Sequence, residues 1–168
     1  MLKYLSLVLL TVLFTGCAGS FTRIDDSEKI IQATTEIPGL DRTQVLTASR
    51  LWMEENFTAL DQPITNVDTA AGTLTGSGQI AYPCSAISCV TKGDWIVTFA
   101  LLVEARHGLV KTTFYDIQLS SPPSGSDPVG RGGMSSPVWS KRDMDAIRPQ
   151  LQELKRDLVD YLLAGREK

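Results

Sequence analysis

The sequence predicts an α+β fold in which one antiparallel five-stranded sheet carries two helices on a single face. Three observations lead to this prediction. The segments follow the order strand, helix, four strands, helix (β-α-β-β-β-β-α). The strand segments are rich in β-branched and aromatic residues, and the strongest of them alternates with a period of two. The helical segments each carry an apolar stripe that has to be buried, and one sheet face is the economical partner for both.

The first strand and the first helix are separated by a clear break. Glu28 to Ile37 contains enough β-formers for a strand, and Pro38-Gly39 ends it. Asp41, with Gln44 three residues later, forms a capping-box pair that predicts the start of a helix. Asp61-Gln62-Pro63 ends this helix. Its apolar face consists of Val45, Leu46, Ser49, Trp52, Met53, Phe57 and Leu60.

Four strand segments follow the first helix. The third of them has apolar residues on both faces, which predicts a central strand. His107-Gly108 is then a two-residue turn, because glycine accepts a positive φ and His tolerates one better than most residues. The four segments are Ile64 to Thr69, Thr73 to Tyr82, Trp95 to Arg106 and Leu109 to Leu119.

The C-terminal part combines a loop and a second helix. Residues 120–139 are rich in Gly, Pro and Ser, which predicts an exposed loop. Ser140 with Asp143 marks a helix start, and apolar residues recur every three or four positions from Met144 to Tyr161. Pro149 lies inside this stripe and predicts either a kink or a division into two helical pieces.

The N-terminus has the parts of an export signal. A short positive stretch ending at Lys3 precedes an apolar run from Tyr4 to Phe14, which is shorter than the ~20 residues of a bilayer span but suits a signal peptide. Thr15-Gly16-Cys17-Ala18 then resembles the bacterial lipobox. The resemblance implies a lipoprotein signal peptide at residues 1–16, a lipidated Cys17 with a tether at 17–27, and one domain at 28–164.

Phe14 departs from the lipobox pattern, in which Leu is usual three residues before the cysteine. Ordinary signal cleavage after Gly19, with loss of Cys17, is an alternative interpretation, and a cytoplasmic protein is a third. We favour the lipobox. Two or three acyl chains would hold the protein on the membrane essentially permanently, since a single chain binds only marginally. Ala18 after the cysteine resembles the sorting signal of outer-membrane lipoproteins, which implies an outer-membrane location facing the periplasm.

Export also bears on the other two cysteines, Cys84 and Cys89. In an oxidising compartment we expect them to form a structural disulfide, with free thiols as the alternative. A zinc site would need further ligands that this short stretch lacks. A redox motif would need two intervening residues, and here there are four.

The order of elements and several local strings resemble a bacterial family of domains of unknown function described as having a TATA-binding-protein-like (TBP-like) fold. The resemblance covers Glu28 to Leu119 and implies the same fold. The family has no assigned catalytic residues, so none are transferred. The strings are Pro38-Gly39, Trp52 with Asn56-Phe57, Val67-Asp68, Gly72 to Gly78, Phe99 with Leu101, and Thr113 to Ile117.

Charge argues against a nucleic-acid partner despite this fold label, because fold alone does not specify function. The net charge is −3, with 16 basic and 19 acidic residues. The basic residues are scattered, whereas binding to phosphates requires clustered Lys and Arg.

Candidate catalytic or metal-binding residues have simpler structural explanations. His107 is the sole histidine and lies in a predicted turn, so a site with two imidazoles cannot be built. Gly76-Ser77-Gly78 lacks the spacing of a nucleophile elbow, and Gly130 to Gly133 lacks that of a phosphate-binding loop. The acidic pairs Asp25-Asp26 and Glu54-Glu55 point apart and are expected to be solvated. We predict no enzyme activity, cofactor or metal.

The sequence therefore favours a non-catalytic envelope lipoprotein that works as an interaction or assembly module. The expected contacts with an envelope protein partner are the uncovered sheet face, where large apolar patches would mark the site, and the loop Ser121 to Pro137. The alternative is a periplasmic carrier that holds a small apolar ligand between the sheet and the C-terminal helix. An enzyme ranks third.

Overall fold

The computed structural model describes residues 23–85, 87–122 and 133–165. A 3-10 helix, Asp26–Lys29, precedes the first strand. The strands are β1 (Ile31–Glu36), β2 (Ile64–Asp68), β3 (Thr73–Ala81), β4 (Ile96–Arg106), β5 (Leu109–Ser120) and β6 (Ser135–Pro137). The helices are α1 (Arg42–Asn56), α2 (Ile87–Lys92) and α3 (Lys141–Ala164). The predicted α+β composition is confirmed.

The strands form one sheet in which every pair is antiparallel. The order is β1-β5-β4-β3-β2, so β4 lies at the centre, as its two apolar faces predict. β6 pairs with β5 at Gln118 to Ser120, beyond the stretch of β5 that pairs with β1. The sheet therefore has six strands rather than the predicted five.

Both long helices pack on the same face of the sheet. Alternate residues of β3, β4 and β5 are buried there with the apolar stripes of α1 and α3 in a single core cluster. Four aromatic rings run through this core with edge-to-face contacts and centroid separations of 5.3–5.6 Å, a geometry that aromatic pairs favour. These rings belong to Trp52, Phe57, Phe99 and Phe114.

Two glycines of β3 allow α1 to approach the sheet closely. A Cβ added to Gly78 would lie 2.6 Å from the Phe99 ring and 3.0 Å from the Phe57 ring. A Cβ added to Gly76 would lie 2.6 Å from Sδ of Met53. Gly76-Ser77-Gly78 thus has a packing role, which agrees with our rejection of it as a nucleophile elbow.

The two helix starts lie where the sequence predicts them. The Asp41 carboxylate accepts a hydrogen bond from the Gln44 amide, and the Gln44 side chain accepts one from the Asp41 amide, both at 2.9 Å. This is the predicted capping box. Ser140 Oγ accepts from the Asp143 amide at 3.1 Å at the start of α3. α3 is not divided at Pro149, which is exposed, so the carbonyl that loses its amide partner can be hydrated.

Two boundaries differ from the sequence prediction. Residues 26–29 form a 3-10 helix, so the first strand begins at Ile31 and not at Glu28. α1 ends at Asn56, and the Phe57 amide donates the last helical hydrogen bond to the Met53 carbonyl. Phe57 nevertheless stays in the core, where its ring makes edge-to-face contacts with the Trp52 and Phe99 rings.

Two short elements were missed by the sequence prediction. Helix α2 has six residues and carries no apolar stripe long enough to detect. Strand β6 lies inside the range 120–139 that we predicted to be a loop. Its three residues form a strand because the end of β5 offers them a hydrogen-bonding edge, which is a tertiary contact and not a local preference.

Candidate functional site

The sheet face opposite the helices has a distinct surface chemistry. Its side chains are half-exposed or exposed, and most are uncharged groups able to form hydrogen bonds, so the large apolar patches that we expected on this face are not found among its described residues. Strand register brings them into rows across the sheet, such as Gln32–Thr113–Leu102–Thr75. We call this surface the open face; it consists of Gln32, Thr34, Glu36, Thr73, Thr75, Ser77, Gln79, Thr98, Ala100, Leu102, Glu104, Arg106, Lys111, Thr113 and Tyr115.

The open face has no surplus of positive charge, since its basic and acidic side chains are equal in number and Asp116 in β5 adds a further negative charge. Lys111 Nζ lies 2.8 Å from a carboxylate oxygen of Glu104, its neighbour across β4 and β5. Arg106 and Glu36 add one further charge of each sign. A surface without surplus positive charge does not suit the phosphate backbone of a nucleic acid.

A β-bulge shapes the middle of the open face. The register between β4 and β5 shifts between Thr98 and Ala100, where β5 has one extra residue. Asp116 lies in this bulge with a φ of 50°, a left-handed conformation that Asp adopts more readily than most side chains. Beside it is a hollow of 170 Å³, whose lining includes Ser77, Thr98 and Asp116. Bulges often occur next to functional sites, and this hollow is therefore the most specific feature of the open face.

A larger groove lies outside the core, between α1 and the C-terminal end of α3. It has a volume of 480 Å³, and its lining includes Leu40, Ala48, Leu51 and Leu162. The space between the sheet and α3 is filled, because Leu151, Leu158 and Leu162 are all at most 1% exposed. The groove is thus not the ligand cavity between sheet and helix that a carrier would need.

A cluster of polar side chains lies at the start of α3. Asp143 is 6% exposed and accepts hydrogen bonds from Lys92 Nζ at 2.6 Å and Tyr82 Oη at 2.7 Å through one carboxylate oxygen. Its other oxygen accepts one from Ser140 Oγ at 2.8 Å. The Lys92 ammonium also lies 5.0 Å from the Trp95 ring and 5.1 Å from the Tyr82 ring. The cluster ties α2, the end of β3 and the start of α3 together.

The ionisation of this cluster follows from its contacts. Burial by itself would raise the pKa of Asp143, but the hydrogen bonds from Lys92, Tyr82 and Ser140 outweigh it and hold that pKa below its ordinary value. Burial, together with the hydrogen bond to the carboxylate, raises the pKa of the Tyr82 phenol. Asp143 is therefore ionised and Tyr82 protonated at neutral pH. Asp143 accepts hydrogen bonds from Lys92 of α2, from Tyr82 after β3 and from Ser140 before α3, so the arrangement is suited to holding these elements together.

Cys84 and Cys89 are joined by a disulfide in the structure, with their Cα atoms 4.9 Å apart. The bond ties the segment after β3 to helix α2. Lys92 follows Cys89 by three residues at the end of that helix. The disulfide thus restricts the segment that brings Lys92 to Asp143.

The other residues considered in the sequence analysis are spread over the fold. His107 is exposed in the β4–β5 turn, and the φ of Gly108 is 70°, as predicted for this turn. Glu54 pairs with Arg50 at 2.9 Å on the surface of α1. Cys17, the signal segment 1–16 and residues 130–132 lie outside the described residues. Among the candidate residues that the structure does describe, none lies in a shared site with Cys84 and Cys89.

Two further properties concern the described ranges 23–85, 87–122 and 133–165. They contain no group of three or more His, Cys, Asp or Glu side chains placed to hold a metal ion. No helix within them is both long enough and apolar enough to cross a bilayer.

Sequence reasoning missed Lys92, Tyr82 and Asp116. Asp143 was recognised only as part of a helix start. Lys92 and Tyr82 are 51 and 61 residues away from it, and nothing in their local sequence indicates a shared cluster. Asp116 interrupts the alternation between Phe114 and Ile117, which both face the core. That break in the period was the one available signal of the bulge.

Comparisons with known proteins identify the family. The family model described as "Domain of unknown function (DUF4468) with TBP-like fold" matches residues 32–120, which is more than half of the chain. The crystal structure of a TBP-like protein from Parabacteroides distasonis ATCC 8503 is similar, with a TM-score of 0.59 and 11% identity, over 79% of this chain and 91% of that one. A DUF4468 family protein from Bacteroides ovatus ATCC 8483 has a TM-score of 0.48 and 19% identity, over 83% of each chain. No curated protein matches the chain. The chain therefore belongs to the DUF4468 family of domains of unknown function, and its fold is TBP-like.

Proposed function

We propose that this protein is a membrane-anchored lipoprotein of the bacterial envelope. It binds a partner and serves as a non-catalytic interaction or assembly module. One observation carries the interaction part of the proposal. Both long helices cover the same face of the sheet, while the other face is half-exposed and lined with hydrogen-bonding side chains. On a rigid surface of this kind, the side chains are already ordered, so binding a partner costs little conformational entropy.

The partner we propose is another envelope protein that docks on the open face around the bulge. Thr98, Ser77 and Asp116 surround a hollow that a single side chain of a partner could enter. Tyr115, opposite Ala100 in the register, adds an aromatic group next to it. Aromatic side chains are enriched in protein interfaces, and hydrogen bonds around them provide specificity.

The anchor part of the proposal is supported by the sequence of the N-terminus, where a charged and an apolar stretch precede Gly16 and Cys17. Replacing Cys17 by Ser tests it. We expect wild-type protein to carry acyl mass and to fractionate with membranes, and the variant to lose both. An unchanged membrane fraction, without any loss of acyl mass, would refute the anchor.

The interaction part is tested by chemical crosslinking in living cells, followed by mass spectrometry. We expect a reproducible envelope partner with wild-type protein, and loss of that partner after Thr113→Arg, which places a bulky charge on the open face. Gln150→Arg is the matched control, because Gln150 is exposed on α3, away from this face. Equal partner recovery from the two variants would refute the open face as the contact.

The carrier is not supported by a comparable observation. Its ligand would need space between the sheet and α3, where Leu151, Leu158 and Leu162 are buried in the core. The 480 Å³ groove lies on the outside of the two helices instead.

A further inference from the structure

The point at which the chain enters the fold is fixed by backbone contacts. Arg23 forms a β-bridge with Ser140, and the Ile24 amide donates a hydrogen bond of 3.1 Å to the Trp139 carbonyl. The chain therefore enters beside the start of α3. Cys17 is only six residues before Arg23, and six residues span at most about 21 Å when fully extended. A lipid on Cys17 would hold this part of the fold close to the membrane surface.

The same part of the fold exposes several large apolar side chains. Met134 is 79% exposed and Trp139 is 48% exposed, on either side of β6. Ile96 is 38% exposed and opposes Ser120, which in turn opposes Ser135, the residue after Met134. Val90 is 86% exposed on α2, just before β4. We call this part of the fold the Trp139 end. Its exposed apolar side chains are Val90, Ile96, Met134 and Trp139; Ile96 and Met134 lie beside the end of β5, and Trp139 follows Val138, whose amide donates to the Ile117 carbonyl.

The opposite end of the molecule is remote from this surface. α3 starts beside the Trp139 end and has 24 residues, so it extends about 36 Å away. Its last turns line the same groove as Leu40, and the Gly108 amide donates to the Leu40 carbonyl. The turn at His107 therefore lies at the far end, which we call the His107 end. A molecule that stands on the Trp139 end, with α3 along the membrane normal, therefore holds the His107 end away from the lipid.

The chemistry of the Trp139 end fits the boundary between lipid headgroups and acyl chains. Trp favours this boundary because its ring is apolar and its N–H is polar. Charges near this end balance, which favours apolar contact over attraction to anionic lipids. The basic residues are Arg23, Lys29, Lys141 and Arg142, and the acidic ones are Asp25, Asp26, Glu28 and Asp94; Lys29 pairs with Asp26, and Lys141 with Glu28.

We propose that the Trp139 end rests on the lipid surface, with the Trp139 ring at the headgroup level and the His107 end directed away from the membrane. The inference rests on the anchor of the proposed function, because the short distance from Cys17 to Arg23 selects which end meets the lipid. It adds an orientation that a flexible anchor alone would not impose. It also places the open face along the side of the anchored molecule, accessible to a neighbouring protein.

Fluorescence quenching on vesicles tests this orientation. The full chain is produced in bacteria, purified with its anchor, checked for acyl mass, and reconstituted into phosphatidylethanolamine–phosphatidylglycerol vesicles that contain a lipid with brominated acyl chains. The contribution of Trp139 is obtained as the difference between wild-type protein and Trp139→Phe. We expect this contribution to lose intensity on brominated vesicles, to a similar extent when the phosphatidylglycerol fraction is lowered.

A second variant provides the control. His107→Trp in the Trp139→Phe background moves the reporter to an exposed turn at the opposite end, where we expect no quenching. Acyl mass without quenching of Trp139, or equal quenching of both reporters, would overturn the orientation and leave the anchor intact. Absence of acyl mass would overturn the anchor and, with it, the orientation.

Discussion

Replacing Asp143 by Asn tests how the start of α3 is held to the rest of the domain. The substitution keeps the size of the side chain but removes the charge that Lys92 faces at 2.6 Å. Removing one partner from a fully buried ion pair costs about 3–5 kcal/mol, while an exposed pair is worth about 0–1 kcal/mol. The side chains of Lys92 and Asp143 are 24% and 9% exposed, so this pair lies between those limits.

We therefore expect Asp143→Asn to lower the free energy of unfolding by about 2–3 kcal/mol, because the Lys92 ammonium can be only partly rehydrated. For a domain of this size, such a loss corresponds to a decrease in Tm of roughly 10 °C. Urea unfolding followed by tryptophan fluorescence measures the free energy, and circular dichroism measures the Tm.

A double-mutant cycle separates the ion pair from the other contacts. Lys92→Met retains an apolar stem near the Tyr82 and Trp95 rings but removes the charge. Asp143→Asn and Lys92→Met should then show a coupling energy of about 1–2 kcal/mol, because each removes the same interaction. A decrease in the free energy of unfolding below about 0.5 kcal/mol for Asp143→Asn, or zero coupling energy, would refute the conclusion that this cluster stabilises the start of α3.

Three further predictions concern stability. The folded-state pKa of Asp143 is below its ordinary value of 3.8. The contribution of Asp143 to the free energy of unfolding is therefore complete above about pH 3.8 and is lost as the pH falls through the folded-state pKa. Measuring the free energy of unfolding at decreasing pH should show this loss, and a smaller one in Asp143→Asn. Joint replacement of Cys84 and Cys89 by Ser should lower the free energy of unfolding by ~2 kcal/mol in urea without reductant, since the bond closes a short loop. Gly78→Ala should cost about 1–3 kcal/mol in the same assay, because the added methyl group meets the Phe99 ring.

Each of these has an internal control. An acid loss of equal size in wild-type protein and Asp143→Asn would exclude Asp143 as its source. Equal stability of wild-type protein with and without reductant would show that the disulfide is not a constraint on the folded domain. Ser77→Ala, on the opposite face of β3 from Gly78, should change the stability by less than about 0.5 kcal/mol. Equal costs at the two positions would contradict the close packing of α1 on Gly78.

Much of the fold could be predicted because local patterns and tertiary structure agree. The Asp41–Gln44 capping box and the apolar stripe of α3 each predict a helix from local sequence, and the structure has both helices. The alternation of β4 likewise predicts a central strand, which it is. Pro149 was expected to kink or divide α3; the helix is not divided there, since the carbonyl that loses its amide partner is at an exposed position and can be hydrated.

The features that escaped prediction depend on contacts between distant segments. β6 is a strand only because the end of β5 is available to pair with it. The cluster around Asp143 joins residues more than 50 positions apart, which no local pattern reveals. The hollow beside Asp116 depends on a one-residue shift in register. Candidate sites on a sheet face are thus harder to predict than the sheet itself, since register decides which side chains become neighbours.

Site-specific photo-crosslinking in living cells tests the open face most directly as a partner site. A photoreactive phenylalanine analogue replaces Tyr115 beside the bulge, and in a separate variant it replaces Gln150 on the exposed side of α3. After irradiation, we predict a discrete adduct with an envelope protein from position 115 and none from position 150. Absence of any adduct from position 115, or the same adducts from both positions, would contradict the proposal that the open face binds a partner.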